Sequence, residues 1–546
     1  MWTRRLGIWE FTTGPRNIRV CKRDNPTMAP GVETLTLAAC AGGVVLAGAG
    51  FLWQKACKKP PIWVSQLDQL GQPRDKLLPG TVVVCGGSVA GIVAARICAD
   101  HFENVLVVDP DIENPGNRIL QWNAAHLYLC LFVTGARRLW KTFDDVVKNV
   151  GGRILPADLQ IHYSGVELPT PHKDYAAGDL PDTLLLRRPS LQKALYSLLR
   201  GSPNVSVLPG TVRSFQPSSD RSVVESVTVR KSDGSKENLN DVALVVDCTG
   251  RLQGGFKWLK SAGYNIDDKI KCSYDPNLRY MTCAFSVSPE LEARLPIPAA
   301  QRSTPIAYVY VPHDDTQSCF LGLSMNDGNV IQILFGDTGM GYLPQASNEL
   351  LPFIERFRGQ KKPLPPWLTD TVQMLVDEVE PEFYPINLNM LTFMQYHLLR
   401  PRTLPSNFVA IGDAFLFLNP VHGQGFAKAM LNGITLNALL HSLPHSSQLP
   451  ANFSTQYFND SADPMNALWD ATRLHDYGST NCVPMPGETK ETGWVSRWLG
   501  EKLISSSTRD DEVASALWHV RQMLASEKTL LAPTILWKVL LTPSMF

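Results

Sequence analysis

The chain contains no Cys-x-x-Cys pair, and its 11 cysteines, an odd number, are scattered from Cys21 to Cys482. That pattern argues against a zinc site and against a secreted disulfide framework, and favours a reducing compartment. An excess of charge of either sign is also missing. Basic and acidic residues number 51 each, so the basic footprint of a nucleic-acid binder is absent. Charged residues reach only 19%, below the usual ~25%. The apolar share of 44% is ordinary, and no internal repeat or low-complexity tract stands out. A chain of 546 residues is expected to form several domains of ~150 residues each. It can bury a large core, which excludes disorder over most of its length.

Charge is locally absent from Thr34 to Gln54 (TLTLAACAGGVVLAGAGFLWQ). As a helix this stretch spans a bilayer core of ~30 Å, with Trp53, Lys55, Lys58 and Lys59 as an interfacial end. A cleaved secretory signal fits poorly, because the apolar stretch begins more than thirty residues in. A targeting sequence or a buried Gly/Ala-rich segment are the other readings. The expectation is a transmembrane helix over 34–54 within an amino-terminal segment 1–59. Residues 60–80, rich in Pro and Gly, read as a linker.

A different pattern begins at Thr81. TVVVC is a β-branched run, GGS breaks it, VAGIVAARICADHF has helical spacing, and NVLVVDPD is a second β-branched run. Strand, glycine turn, helix and strand open a βαβ unit of a parallel sheet. Further on, TPIAYVYVPHDD, SCFLGLSM and NVIQILFGD read as strands, the last two joined at Asn326-Asp327-Gly328, a strong hairpin signal. An antiparallel sheet is therefore expected between about residues 275 and 340. Another strand, NFVAIGDA, runs through a glycine-containing loop into the helix FAKAMLNGITLNALLHSL. The tail from about residue 465 reads as helical. The divisions are 81–265 and 401–445 for two parts of a nucleotide-binding α/β domain, 266–400 for the antiparallel sheet and 446–546 for a helical region.

Two constellations carry chemistry. In Gly86-Gly87-Ser88-Val89-Ala90-Gly91 the glycines suit a tight turn and close helix–strand packing, with Ser88 where a dinucleotide fingerprint has its second glycine. The helix start offers free N–H groups to phosphates. Asp109, 23 residues after Gly86, stands where a carboxylate accepts from a ribose hydroxyl. The second constellation is Gly412-Asp413-Ala414 followed by Asn419-Pro420-Val421-His422-Gly423-Gln424-Gly425-Phe426. On its own it could be one more acidic loop; its value lies in following the first at long range.

Together these motifs resemble the FAD-dependent monooxygenases, the family of aromatic hydroxylases, squalene and styrene epoxidases, flavin halogenases and geranylgeranyl reductases. GDAFLFLNPVHGQG matches every fixed position of that family's G-D-A-x-x-x-x-x-P-x-x-G-x-G pattern. The resemblance covers roughly residues 80–440 and implies a Rossmann-like FAD-binding domain with an antiparallel-sheet substrate domain. It implies that Asp413 holds ribityl or ribose hydroxyls, that Gly423, Gly425 and Phe426 offer amides to the flavin ring, and that Pro420 shapes the reacting face. LLLRRPSLQKALYSLL implies Arg188, or failing that Arg187, beside FAD; ALVVDCTGR implies Asp247 and Gly250 near the cofactor or structural at that turn. A segment similar to styrene epoxidases places Arg118 by the cofactor, Gln121 beside it, and His126 as a candidate functional residue.

The resemblance further implies non-covalent FAD, reduced by NAD(P)H or by an external reductase, forming a hydroperoxide with oxygen. In such an enzyme the flavin carries the redox chemistry and the protein orients substrate and excludes water. No metal site is expected. A second nucleotide unit is lacking, since Gly336–Gly341 resembles one by letters but reads as a loop. The halogenase element Trp-x-Trp-x-Ile-Pro is lacking too, though halogenase, prenyl-chain reductase and non-catalytic flavoprotein stay open. With the anchor, the expectation is a lipophilic substrate in specialised metabolism, at the endoplasmic reticulum membrane with the catalytic part facing the cytosol. Basic residues flank both ends of the segment, so charge does not decide that orientation.

Overall fold

The computed structural model describes residues 52–544 except 114, 115, 117, 312–317, 338–341 and 445–447. The chain divides into two units at Trp53/Gln54, and the strands and helices that build the fold belong to the second. The expected anchor 34–54 lies outside the described residues but for its last three. Among the described residues no helix is long and apolar enough to cross a membrane.

Five strands form a wholly parallel sheet: β1 (Leu78–Cys85), β2 (Phe102–Val108), β3 (Val205–Leu208), β4 (Val242–Asp247) and β5 (Phe408–Ala410), in the order β5-β4-β1-β2-β3. Val82, Val83 and Val84 are fully buried, as continuous β-branched runs are when helices cover both sheet faces. Helix α1 (Val89–Ala99) follows β1, helix α2 (Arg188–Arg200) precedes β3, and helix α3 (Gly425–Ser442) follows β5. The small residues of α1 and α3 permit close approach. A Cβ on Gly433 would lie 2.7 Å from Ile97 Cδ1.

The second layer is a seven-stranded sheet in the order Glu382–Leu388, Leu278–Ser286, Val330–Asp337, Cys319–Asn326, Ile306–Tyr310, Gln160–Tyr163, Val166–Glu167. The hairpin forms at the expected turn, pairing Asn326 with Val330. Its bend uses Gly328 at φ +65°. The expected bounds of this sheet need correction. It is not confined to 266–400, because Gln160–Tyr163 joins it in parallel with Ile306–Tyr310. Strands of four and two residues are too short to show an alternating pattern in sequence. The expected loop at the apparent glycine motif is also corrected in part. Gly336 and Asp337 close a strand of this sheet, while 338–341 lie outside the described residues.

The expected linker 60–80 is instead packed structure. Ile62–Gln66 is helical, Leu67 and Leu70 are buried, and β1 already starts at Leu78. The Arg74 guanidinium donates to the carbonyls of Leu440, Leu443 and Pro444, and Trp63 Nε1 donates to Met523 O at 2.9 Å. Pro and Gly here mark tight bends over a neighbouring surface. The carboxy-terminal region is helical from Phe453, earlier than 465: α4 (Phe453–Asp476), α5 (Trp494–Ser507), α6 (Asp511–Arg521) and α7 (Pro533–Leu541). Helix α4 continues through Pro464, which hides its start in the sequence.

Candidate active site

The end of β1, the N-termini of α1 and α3, and one face of the seven-stranded sheet enclose a cavity of about 1960 Å³. Sites for single drug-sized molecules hold ~300–1,000 Å³, so this volume suits a large cofactor together with a substrate.

One part of its wall is built by the first motif. Gly86, at φ +114°, turns so tightly that a Cβ there would sit 2.5 Å from Cys248 O. A Cβ on Gly91 would collide with the Gly86 carbonyl oxygen, so α1 can approach β1 only with glycine there. Ser88 is the N-cap of α1, yet its side chain makes no capping bond, and the first-turn amides face the cavity with the helix's positive end. Gly86, Gly87, Ser88 and Ala90 line the cavity, whereas Gly91 lies beneath it. Asp109, just beyond β2, accepts from Gly87 N and Asp111 N, each at 2.8 Å.

Arg188 enters from the start of α2. It is buried, donates to Ser88 Oγ at 2.5 Å, and stands 5.0 Å over the Phe426 ring. Its Nε has no hydrogen-bond partner, and burial lowers its pKa to about 10. It therefore stays cationic at neutral pH. Arg187 turns the other way and pairs with Asp327 at 3.0 Å, tying α2 to the hairpin turn. Gln192, one turn along α2 from Arg188, donates to Gly87 O at 2.8 Å and leaves its own Oε1 unpartnered.

The second motif forms the middle of the cavity. Asp413 accepts from Lys428 Nζ at 2.6 Å, and Lys428 is wholly buried within α3. Asn419 accepts from Val421 N at 3.0 Å and donates to both oxygens of Asp476. Asp476 also accepts from Tyr274 Oη at 2.6 Å. Burial raises the Asp476 carboxyl above its usual range. This network fixes the Pro420–His422 turn, which closes at Gly423 with φ +67°. A Cβ on Gly425 would meet nothing within 4 Å, so α3 begins at open space, again without a side-chain cap.

Phe426 stacks on Tyr128 with centroids 5.0 Å apart and lies 5.3 Å from His126. His126 Nδ1 faces Ala124 O at 2.8 Å. Burial and the nearby Arg188 cation lower its pKa to about 4, so it is neutral at pH 7. Burial likewise holds His422 near 3, with His475 adding to the shift.

Besides Gly91 and Arg187, two further residues singled out in sequence do not converge on the interior. Asp247 does not line the cavity. It is fully buried, and its carboxylate accepts from Thr249 N, Thr249 Oγ1 and Gly255 N. It therefore shapes the turn, while Gly250 beyond it reaches the wall. Arg118 sits at the rim, 64% exposed and paired with Asp111 at 2.9 Å. Gln121 is turned to Tyr280 Oη at 2.7 Å. Among the described residues no cluster of metal-ligating side chains occurs. Sequence reading missed Lys428 and Gln192. A lysine on the apolar face FAKAM is the available signal for the first; Gln192 carries none.

These groups fit FAD. Two uncapped helix N-termini and an unpartnered buried Arg188 Nε as donors, the Gln192 Oε1 as an acceptor, and the space before Gly425 form a cradle that nothing among the described residues satisfies.

The fold is that of FAD-dependent monooxygenases and of a flavin-dependent halogenase. The monooxygenase PqsL of Pseudomonas aeruginosa superposes with a TM-score of 0.52 at 15% identity, over 74% of this chain and 97% of that one. The flavin-dependent brominase Bmp2 superposes with a TM-score of 0.53 at 11% identity, over 85% and 98%. In sequence, the protein Rv3254 of Mycobacterium tuberculosis is 23% identical over 487 residues, 86% of this chain and 93% of that protein. No family model matches.

Proposed function

We propose that this chain is an FAD-dependent monooxygenase acting on a lipophilic small molecule. One observation carries the reading: the cavity runs unbroken from the fingerprint turn, past Asp413 and Gly425, into a chamber walled by Leu159, Ile161, Val309 and Leu334. FAD bound there would supply the two-electron redox chemistry and the reaction with oxygen. The chain's part is to bind, orient and exclude water. The Ser88 amide and the uncapped first-turn amides of α1, with Arg188, would receive the phosphates, Asp109 and Asp413 would hold sugar and ribityl hydroxyls, and the amides of Gln424 to Phe426 would face the ring. Gly423, expected to offer its own amide, instead donates it to Pro420 O and shapes the turn. Pro420 and the neutral His126 would border the side where substrate meets it. Apolar walls keep bulk water out, which protects reactive oxygen species on the flavin from wasteful decay.

The purified protein is expected to be yellow and to release its colour on acid precipitation, since no residue stands in a flavin-attachment motif. NAD(P)H oxidation with oxygen uptake, stimulated by an apolar acceptor that gains one oxygen, tests the activity. Product formation that requires chloride or bromide would assign a halogenase instead, the activity of the brominase that shares this fold. Dependence on an added reductase would place the reductant outside this chain, consistent with its single nucleotide unit. We also propose that Thr34–Gln54 anchors the protein in a membrane, the endoplasmic reticulum being the candidate, and that the product belongs to specialised metabolism. Retention of full-length protein in the pellet after carbonate washing checks the anchor.

A further inference from the structure

The far wall of the chamber is supplied by the carboxy-terminal helices, and it holds a charge the flavin reading does not use. Helix α6 presents Leu517, Val520 and Arg521 to the cavity, at the spacing that puts three residues on one helical face. The helix is well fixed. Asp510 caps its first turn by accepting from Glu512 N and Val513 N, Trp518 is buried, and Gln522 Oε1 accepts from Cys130 N at 3.0 Å. Cys130 follows closely on His126 and Leu127, which line the same cavity beside Phe426. Arg521 is thereby held at the substrate side of the site.

Five other arginines line the cavity; Arg213 and Arg251 are exposed, and the remaining three are engaged elsewhere. Arg497 donates to the carbonyls of Leu474, Thr492 and Lys490, Arg118 pairs with Asp111, and Arg188 belongs to the phosphate end. Arg521 Nε is buried without a hydrogen-bond partner. Arg521 forms no ion pair among the described residues, and no carboxylate acts on its guanidinium there. The nearest acid in sequence, Glu527, also lines the cavity. Burial raises its carboxyl, the opposite of what a guanidinium neighbour would do. Burial lowers Arg521 to about 10, so at neutral pH it remains a cation facing an apolar room. An unpaired buried charge is costly, and a planar guanidinium fork is best satisfied by a carboxylate.

We propose that Arg521 anchors the substrate through a carboxylate, so that the molecule oxidised here is a lipophilic acid whose apolar body lies along the chamber towards Phe426. The proposal rests on the cavity being an FAD-and-substrate site. Its test uses full-length, FAD-loaded protein titrated with dodecanoate and with methyl dodecanoate, following the flavin absorbance. Dodecanoate is expected to bind at least ten-fold more tightly than the ester. Arg521→Gln is expected to abolish that preference with FAD content unchanged, and Arg521→Lys to keep part of it. Absence of dodecanoate binding, equal binding of acid and ester, or an Arg521→Gln protein that keeps the preference would overturn the proposal. Should Arg521→Gln fail to fold, the acid–ester ratio in wild type and Arg521→Lys decides. A protein that takes up no FAD would sink the monooxygenase reading alone, because calorimetric titration of that protein with the same two probes still decides the role of Arg521.

Discussion

Two glycines of the site look alike in sequence and are held for opposite reasons. Gly91 has no room for a side chain, because the Gly86 carbonyl oxygen occupies it; Gly425 has nothing near it at all. Gly91→Val is therefore expected to yield insoluble protein, by levering α1 off β1. Gly425→Val is expected to fold, with a thermal midpoint close to wild type, and to lose most of its FAD, measured as absorbance per mole of protein. Normal FAD content in Gly425→Val would mean that the cradle lies elsewhere. Protonation gives a second test at a single residue. His101 is fully buried, with Nε2 against Asn437 Oδ1 at 3.0 Å, and burial lowers its pKa to about 4. An unfolded histidine titrates near 6.5, so the unfolded chain takes up the proton first as pH falls. The stability tied to neutral His101 is present above about pH 6.5 and is lost between there and about pH 4, amounting to ~2 kcal/mol by pH 5. Urea unfolding at pH 7 and pH 5 is expected to show a larger pH-dependent loss in wild type than in His101→Gln.

Elements set the position of the Pro420 turn more than the turn does itself. Asn419 reaches Asp476 at the end of α4, and Asp476 reaches Tyr274, so a helix and a neighbouring sheet are joined under the loop expected to face the flavin. Asp476→Ala would leave two buried polar groups without partners, at ~1–3 kcal/mol each. A lowered melting temperature with faster FAD loss is expected; unchanged FAD retention would show that the turn holds its shape alone. The sequence makes some of these elements readable and hides others. β1, α1, β2 and the hairpin at Asn326-Asp327-Gly328 are legible because period, β-branching and turn chemistry all agree there. Gln160–Tyr163 and Val166–Glu167 are not, being strands too short to carry a period. The start of α4 is masked by Pro464. At the site, glycines and Asp413 are legible through their spacing. The partners that make them work are not: Lys428, Gln192, Asp476 and Arg521 come together only through tertiary contacts across distant segments.

At the scale of the whole molecule, residues 54–74 are a clasp on the carboxy-terminal third. Cys57 is buried in a cluster with Leu503, Val513, Ile535 and Val539, its carbonyl accepts from Thr529 Oγ1, and Lys58 pairs with Glu512 at 2.8 Å. A chain starting at residue 54 is expected to melt like full-length protein and to keep FAD. One starting at residue 61 is expected to melt several degrees lower, because that cluster loses its cap. Equal melting curves for the two truncations would show that 54–60 adds nothing.

The parallel sheet has one more consequence, which concerns biosynthesis. Its edge strand β5 pairs with β4 across more than 160 residues of intervening chain, and α3 closes the nucleotide cleft only after that. Contacts of such long sequence separation form late, and segments leave the ribosome in order, at ~5–20 residues per second. The first motif therefore emerges long before its counterpart exists, and the cleft stays half-built for on the order of 15–60 s while some 300 further residues are made. Cofactor loading is confined to the last stretch of synthesis or to the released chain. A cell short of riboflavin would accumulate a finished, uncharged polypeptide rather than stalled fragments.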